Sequence, residues 1–336
     1  MEENENVRAA RKSFSFSGWA LLTALLIPVL LNVLIGVLAQ VFPAGLIENR
    51  LFLWAISFLP VFGFGIPAGL LMMKHLPRDL GEQKKMGLKS FLIAFIMCYP
   101  MMLGGNVIGT FAAQIFSGGR STSNVVELIA QQDPLIMLTL TIAAPLLEEL
   151  IFRKCLIDHT IRFGEKNAIL FSALAFGLFH CNLYQIFYAF GIGLIFGYIY
   201  VRTRNVRYTM IMHFLINFSS GVIGALLMGR VDPEMMELMM GENTDAMITL
   251  MTEDPQAMMA FAMSVLPLML MGFMNIVLAI AGTVLLGTQK KKFVFEIQPR
   301  EVSGKQGIRA ALLNAGFLTF VVFALAYTAY VLAATC

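Results

Sequence analysis

The chain has 336 residues, 58% of them hydrophobic and only 13% charged, with a mean hydropathy of +0.76 and a formal net charge of +3. A soluble globular domain carries about 25% charged residues, so this composition excludes one and describes a protein that crosses a membrane many times. Four cysteines (Cys98, Cys155, Cys181, Cys336) sit in or beside apolar runs at no paired spacing, which points to small hydrophobes rather than a disulfide framework or a CxxC metal site.

Taken in order, the first apolar run starts near Trp19; it is too long for the core of a secretory signal and has no small-x-small exit, so it reads as a span. Nine segments follow this pattern, at 18–42, 51–73, 90–116, 135–161, 167–181, 183–201, 206–227, 260–287 and 308–335. A crossing needs ~20 mostly apolar residues, so 167–181 is short and reads as a partial or buried span. The expected fold is an all-α, polytopic membrane bundle of eight to nine transmembrane helices, forming one domain over 1–336.

Basic residues orient these segments. With the N-terminus cytoplasmic and nine crossings, the inner side receives Arg8, Arg11 and Lys12, then Lys74, Arg78, Lys84, Lys85 and Lys89. It also receives Arg153, Lys154, Arg162, Lys166, Arg202, Arg204, Arg207, Lys290, Lys291, Lys292, Arg300, Lys305 and Arg309. That is 21 of the 24 Lys and Arg, with only Arg50, Arg120 and Arg230 outside. The positive-inside bias favours nine crossings in a plasma membrane, whereas a re-entrant 167–181 would reverse the later loops and break it.

Two linking segments have their own character. The outer segment 228–259 holds nine methionines among seven acids, and Met235, Met236, Met239 and Met240 recur at helical spacing. That pattern predicts an amphipathic helix on the outer surface, either capping the bundle or offering a gate of adaptable thioethers. The inner segment 288–307 is basic, with Pro299 and Gly304, and reads as a solvated linker near anionic headgroups.

The chemistry concentrates between 135 and 220. Glu148 and Glu149 are adjacent carboxylates within an apolar run, and a charge at membrane depth costs at least ~2.5 kcal/mol even on lenient insertion scales. Glu149 and Arg153 stand at i and i+4, side by side on a helix, so Glu149 is the ion-pair member. Glu148 is rotated about 100° away and free, which makes it the candidate general base. The alternative is a helix end at the interface with both acids solvated.

His180 closes the short fifth segment, while His213 and Asn217 share one face of the seventh. A lone histidine on an apolar helix is more often a hydrogen-bonded core residue, but here two accompany an asparagine and an unpaired glutamate. At a rise of ~1.5 Å per residue, Glu148 and His180 lie about 20 Å from the inner edge and Asn217 about 18 Å, with His213 shallower at about 12 Å. All four can share a layer. Water attack on an amide needs a base and donors for the developing oxyanion, which Glu148 with His180 and His213 with Asn217 could provide. A zinc site of His180, His213 and Glu148 would use the same residues, although an HExxH helix is absent.

Glu148-Glu149-x-x-x-Arg153, Phe176-x-x-x-His180 and His213-x-x-x-Asn217 together resemble the EExxxR, FxxxH and HxxxN motifs of the CPBP family of CAAX-prenyl, bacteriocin-processing and abortive-infection proteases. Gly191 to Tyr198 is similar to the family's glycine-bearing helix before the third motif. The resemblance implies a helical bundle with a polar cavity open towards the cytoplasm, and an intramembrane endopeptidase in which Glu148 and His180 activate water. His213 and Asn217 would hold the oxyanion, with Glu149, Arg153 and Phe176 in support. It departs from the family at Arg204-Asn205-Val206, where a Gly-Ser-Leu-like turn is usual, and in its ninth segment and Met-rich outer segment.

The expected activity is therefore peptide hydrolysis by glutamate-activated water without a metal, because Asn217 is a poor zinc ligand and a good amide donor. The expected partners are membrane lipids and a protein or peptide substrate, lipidated or not, with no nucleic acid. Rival readings are a zinc metalloprotease on the same residues, a proton-coupled transporter, and a non-catalytic membrane immunity or scaffold protein. No inverted repeat supports the transporter.

Overall fold

The computed structural model describes residues 2–121, 123, 127–129, 131–232, 235 and 254–335. Among them no strand occurs, as expected where a bilayer leaves backbone N–H and C=O groups no water to bind. Eight helices are long and apolar enough to cross a membrane: α1 (Glu5–Val41), α2 (Arg50–Met73), α3 (Leu88–Ser117), α4 (Pro134–Phe163), α6 (Leu183–Thr203), α7 (Arg207–Met228), α8 (Pro255–Lys292) and α10 (Ala315–Ala334). Between them lie the shorter α5 (Glu165–Phe179) and the surface helix α9 (Gly304–Leu312). The chain is thus a multi-pass integral membrane protein, and the all-helical expectation is met. Most of the Met-rich stretch at 228–259 lies outside the described residues, as does Cys336.

Side-chain caps start several of these helices. Asn49 accepts from the Phe52 amide, Asp133 from the Leu135 and Ile136 amides, Asn182 from Tyr184 and Asn314 from Phe317. Asp133 also pairs with Arg50, which joins the starts of α2 and α4.

Of the nine apolar segments, 167–181 is the one that falls short. Its helix α5 has 15 residues, about 22 Å against a hydrocarbon core of ~30 Å, and most of its side chains are buried. It pairs antiparallel with α6: Gly177 meets Ile186 and Phe190, Gly193 meets Ala173, and Gly197 meets Ile169. Glu165 and Arg202, at the open end of this hairpin, form an ion pair. Both ends of the hairpin therefore lie on one side. Eight long helices do not reverse the later loops, contrary to the expectation, because α5 and α6 return the chain to the level it left.

All the basic segments meet at that end of the bundle. The Asp79 amide donates to the Asp158 carbonyl at 2.8 Å, and the Lys84 amide to the Thr203 carbonyl at 2.8 Å. Arg204 reaches Asp158 at 3.1 Å and Asp79 at 3.2 Å, and the Tyr200 hydroxyl donates to Asp158 at 2.8 Å. Arg204 caps α6 in the left-handed region, at φ +51°, where glycine is usual. Its two ion pairs explain why an arginine holds this strained position.

The segment 288–307 is no free linker. Val302 is buried and its amide donates to the Phe163 carbonyl, Asn167 Nδ2 donates to the Val302 carbonyl at 2.8 Å, and the Glu296 amide donates to Glu165. Residues 296–302 thus strap across the base of α5. Apolar side chains such as Val33, Val37, Met269 and Phe273 stay exposed on the outer faces of α1 and α8, as lipid contact requires.

Close helix crossings rest on glycine. A Cβ on Gly105 of α3 would stand 2.4 Å from the Tyr188 backbone of α6, whereas one on the adjacent Gly104 would meet nothing within 4 Å. Forcing the two backbones apart should cost ~1–3 kcal/mol. We expect Gly105→Leu to lower the melting temperature in detergent by several degrees and Gly104→Leu to leave it unchanged, as thermal denaturation of the purified variants would show.

Candidate active site

Helix α4 is not a regular α-helix around the two acids. It passes through π-helical turns at Thr139–Ala143 and Leu150–Cys155, one on each side of Glu148 and Glu149. Such turns leave backbone carbonyls without their usual partners and are frequent at functional sites. Both openings are filled by side chains. In the first, the Ala144 amide donates to the Thr139 carbonyl, so the next donor in register would come from Pro145, which has no N–H. The Leu140 carbonyl it would have met instead accepts from Asn217 Nδ2 at 2.9 Å. In the second, the Phe152 carbonyl accepts from Ser172 Oγ at 2.6 Å.

Glu149 points away from the cavity and is fully buried, as is Arg153. Arg153 Nε lies 3.2 Å from Glu149 Oε2, although the pair lacks the alignment of a hydrogen bond. The guanidinium is instead held by stacking, 4.1 Å from the Phe176 ring centroid and 5.3 Å from that of Phe196. This gives Phe176 of the second motif a physical task. Its ring also meets His180 edge-on at 4.9 Å and His213 at 5.7 Å.

His213 joins the two acids. Its Nδ1 is 3.1 Å from Glu149 Oε1, and its Nε2 is 3.7 Å from Glu148 Oε2. His180 Nδ1 lies 2.8 Å from the Phe176 carbonyl one turn back, so that nitrogen carries the proton and Nε2 keeps a lone pair. Glu148, His180, His213 and Asn217 all line one cavity of about 480 Å³, whereas Glu149 and Arg153 do not. The side chain of Glu148 is 14% exposed, against 0% for Glu149.

Sequence reasoning missed the Glu149–His213 contact, which has no helical spacing to betray it. It also missed other polar groups of the cavity, among them Tyr184, Gln185, Tyr188, Asn106, Ser220 and Asn275. Asn106 and Asn275 each interrupt a long apolar helix, and that interruption was the available signal. Among the described residues, no three His, Cys, Asp or Glu side chains converge as a metal ion requires. With Nδ1 of His213 on Glu149 and Nδ1 of His180 on a carbonyl, both histidines are oriented by protein groups and leave Nε2 clear of those bonds.

The cavity runs in one direction only. On α4 it is lined by Met137, Leu140, Thr141, Ala144 and Glu148, and on α7 by His213, Ile216, Asn217, Ser220 and Gly221. Towards the basic end, buried Phe152, Phe196 and Arg153 pack behind the lining residues Phe176 and His213. A cavity open towards the cytoplasm and a cytoplasmic basic end were both expected, and the structure puts cavity and basic segments at opposite ends. The two expectations cannot both hold.

Residues 130–219 match the family model described as type II CAAX prenyl endopeptidase Rce1-like. Among curated relatives, the membrane peptidase candidate YdiL of Bacillus subtilis (strain 168) is 28% identical over 160 residues, 44% of this chain and 63% of YdiL. The membrane-embedded CAAX protease MroQ of Staphylococcus aureus (strain USA300) is 27% identical over 215 residues, 56% of this chain and 85% of MroQ. The chain thus spans just under two thirds of the length of YdiL. No solved structure matches. The resemblance drawn from the three motifs is borne out.

Removing one member of a buried ion pair strands the other, at ~3–5 kcal/mol. Glu149→Gln should therefore lower the thermal stability sharply, and the double variant Glu149→Gln/Arg153→Met should recover much of it; melting curves of the three proteins in one detergent check this.

Proposed function

We propose that this chain, which carries the Rce1-like stretch of the CPBP family at 130–219, is an intramembrane endopeptidase of the plasma membrane that hydrolyses a peptide bond of a membrane-associated protein or peptide. The observation that carries the reading is the division of labour between adjacent acids: Glu149 is buried against Arg153 and His213, while Glu148 faces the cavity beside His180, His213 and Asn217.

In this mechanism a water in the cavity attacks the scissile carbonyl and gives its proton to Glu148, assisted by the free Nε2 of His180. The developing oxyanion takes a hydrogen bond from the second N–H of Asn217 Nδ2, since the first is engaged by the Leu140 carbonyl. With Nδ1–H on Glu149, His213 donates from Nε2 only as an imidazolium, and the carboxylates on both sides of the ring supply its counter-charge. Glu148 then returns the proton to the departing amine. Glu149 and Arg153 act through His213, as positioning residues. No metal takes part in these steps; the support for that reading is Asn217, a poor zinc ligand held as an amide donor one turn from His213.

Glu148→Gln is expected to abolish cleavage of a peptide library, by at least ~10²-fold, the usual scale of a lost general base, with insertion and yield unchanged. Near-normal turnover would remove Glu148 as the base. Metal analysis of active protein, with chelators added in detergent, should show no stoichiometric zinc and no loss of activity; one zinc per chain, lost and restored together with activity, would overturn the metal-free reading.

A further inference from the structure

The direction of the cavity bears on what it cleaves. Every lining residue on α4 lies N-terminal to Glu149 and every one on α7 lies from His213 onward, so the space extends from the Glu148–His213 layer away from the basic end. At that far end it reaches Ser123 and Ile129, in the segment that follows α3. Tyr184, which also lines it, donates its hydroxyl to the Ser121 carbonyl at 2.8 Å. Three lining side chains, Asn106 of α3, Ser220 of α7 and Asn275 of α8, are exposed, so the cavity meets the surface between these helices. Polar side chains at this depth are costly against lipid alone, and they offer hydrogen bonds to an extended peptide.

The contacts between segments locate the basic residues independently of any helix count. Residues 74–89, 158–166, 202–209 and 296–309 bond to one another, and Ser13 Oγ donates to the His159 carbonyl in the same layer. That end carries those 21 Lys and Arg other than Arg153, which is buried beside the site; the opposite end carries Arg50, Arg120 and Arg230, with Asp133, Asp232 and Asp254. So strong a bias places the basic end in the cytoplasm.

We propose that the cavity opens to the outer side of the membrane, and that its substrate is an exported peptide or the outer juxtamembrane segment of a membrane protein rather than a cytoplasmic tail. The substrate half of this proposal rests on the peptidase reading; the orientation half does not. Access from the outer side also fits the polar trio, which gives a peptide a path sideways from the bilayer to Glu148.

Single cysteines test the orientation without any need for activity. In a Cys336→Ser background, where Cys98, Cys155 and Cys181 are buried, Ile129→Cys and Ser220→Cys would be treated in intact bacterial cells with a membrane-impermeant maleimide. Both should label, while Lys84→Cys and Lys305→Cys should label only after permeabilisation. The reverse pattern would overturn the proposal. For the substrate, a soluble reporter peptide cut by the detergent-solubilised protein would be added outside sealed vesicles. Cleavage by right-side-out vesicles, absent from inverted ones and from Glu148→Gln, supports outer access; cleavage by inverted vesicles alone refutes it. If no peptide is cut even in detergent while the labelling holds, the peptidase reading and its substrate fall and the outward cavity stands.

Discussion

A carboxylate and a guanidinium with no access to water hold this site together. Glu149 and Arg153 are both fully buried, and neither could stay charged there without the other. Arg153 is further enclosed by the rings of Phe176 and Phe196, so its position is fixed by three helices at once. From Glu149 the constraint passes to His213, and from His213 to the edge of the cavity where Glu148 lies. A chain of contacts that begins in a water-free core thus ends at a half-open carboxylate. Two adjacent residues with the same side chain acquire different chemistry because one rung of the helix faces the core and the next faces a space.

Departures from regular helix serve the same end. Pro145 leaves the Leu140 carbonyl without a donor, and Asn217 answers it from α7. One bond thereby joins two helices and sets the amide that faces the cavity. The opening at Phe152 is answered by Ser172 from α5. These bonds lock α4 against its neighbours on both sides of the acids, in a bilayer where an unsatisfied carbonyl would cost several kcal/mol.

The ends of the bundle differ in kind. The basic end is knitted by ion pairs and backbone bonds, with Arg204 held in a left-handed cap by Asp79 and Asp158 and a strap at 296–302 across α5. The cavity lies towards the other end. Rigidity on one side and access on the other are what a one-sided site needs, and the aromatic plug of Phe152 and Phe196 marks the division.

Much of this was legible in one dimension. Apolar runs of span length predict the helices because the bilayer permits no other backbone solution for a segment that long, and they mark α5 as too short. The i, i+4 spacing pairs Glu149 with Arg153, since a helix sets that geometry locally. Three motifs in order name Glu148, Phe176, His180, His213 and Asn217, which line the cavity, and the buried pair Glu149 and Arg153 behind them. What linear order could not carry was any contact between helices: the bond from Glu149 to His213, the Asn217 bond to a carbonyl freed by a proline 72 positions earlier, and the bonds that tie the solvated basic linker across α5. Nor could it give the direction in which the cavity opens. Local spacing fixes which side chains share a face of one helix, but which faces meet, and on which side they leave a gap, depends on how helices of unequal length pack together.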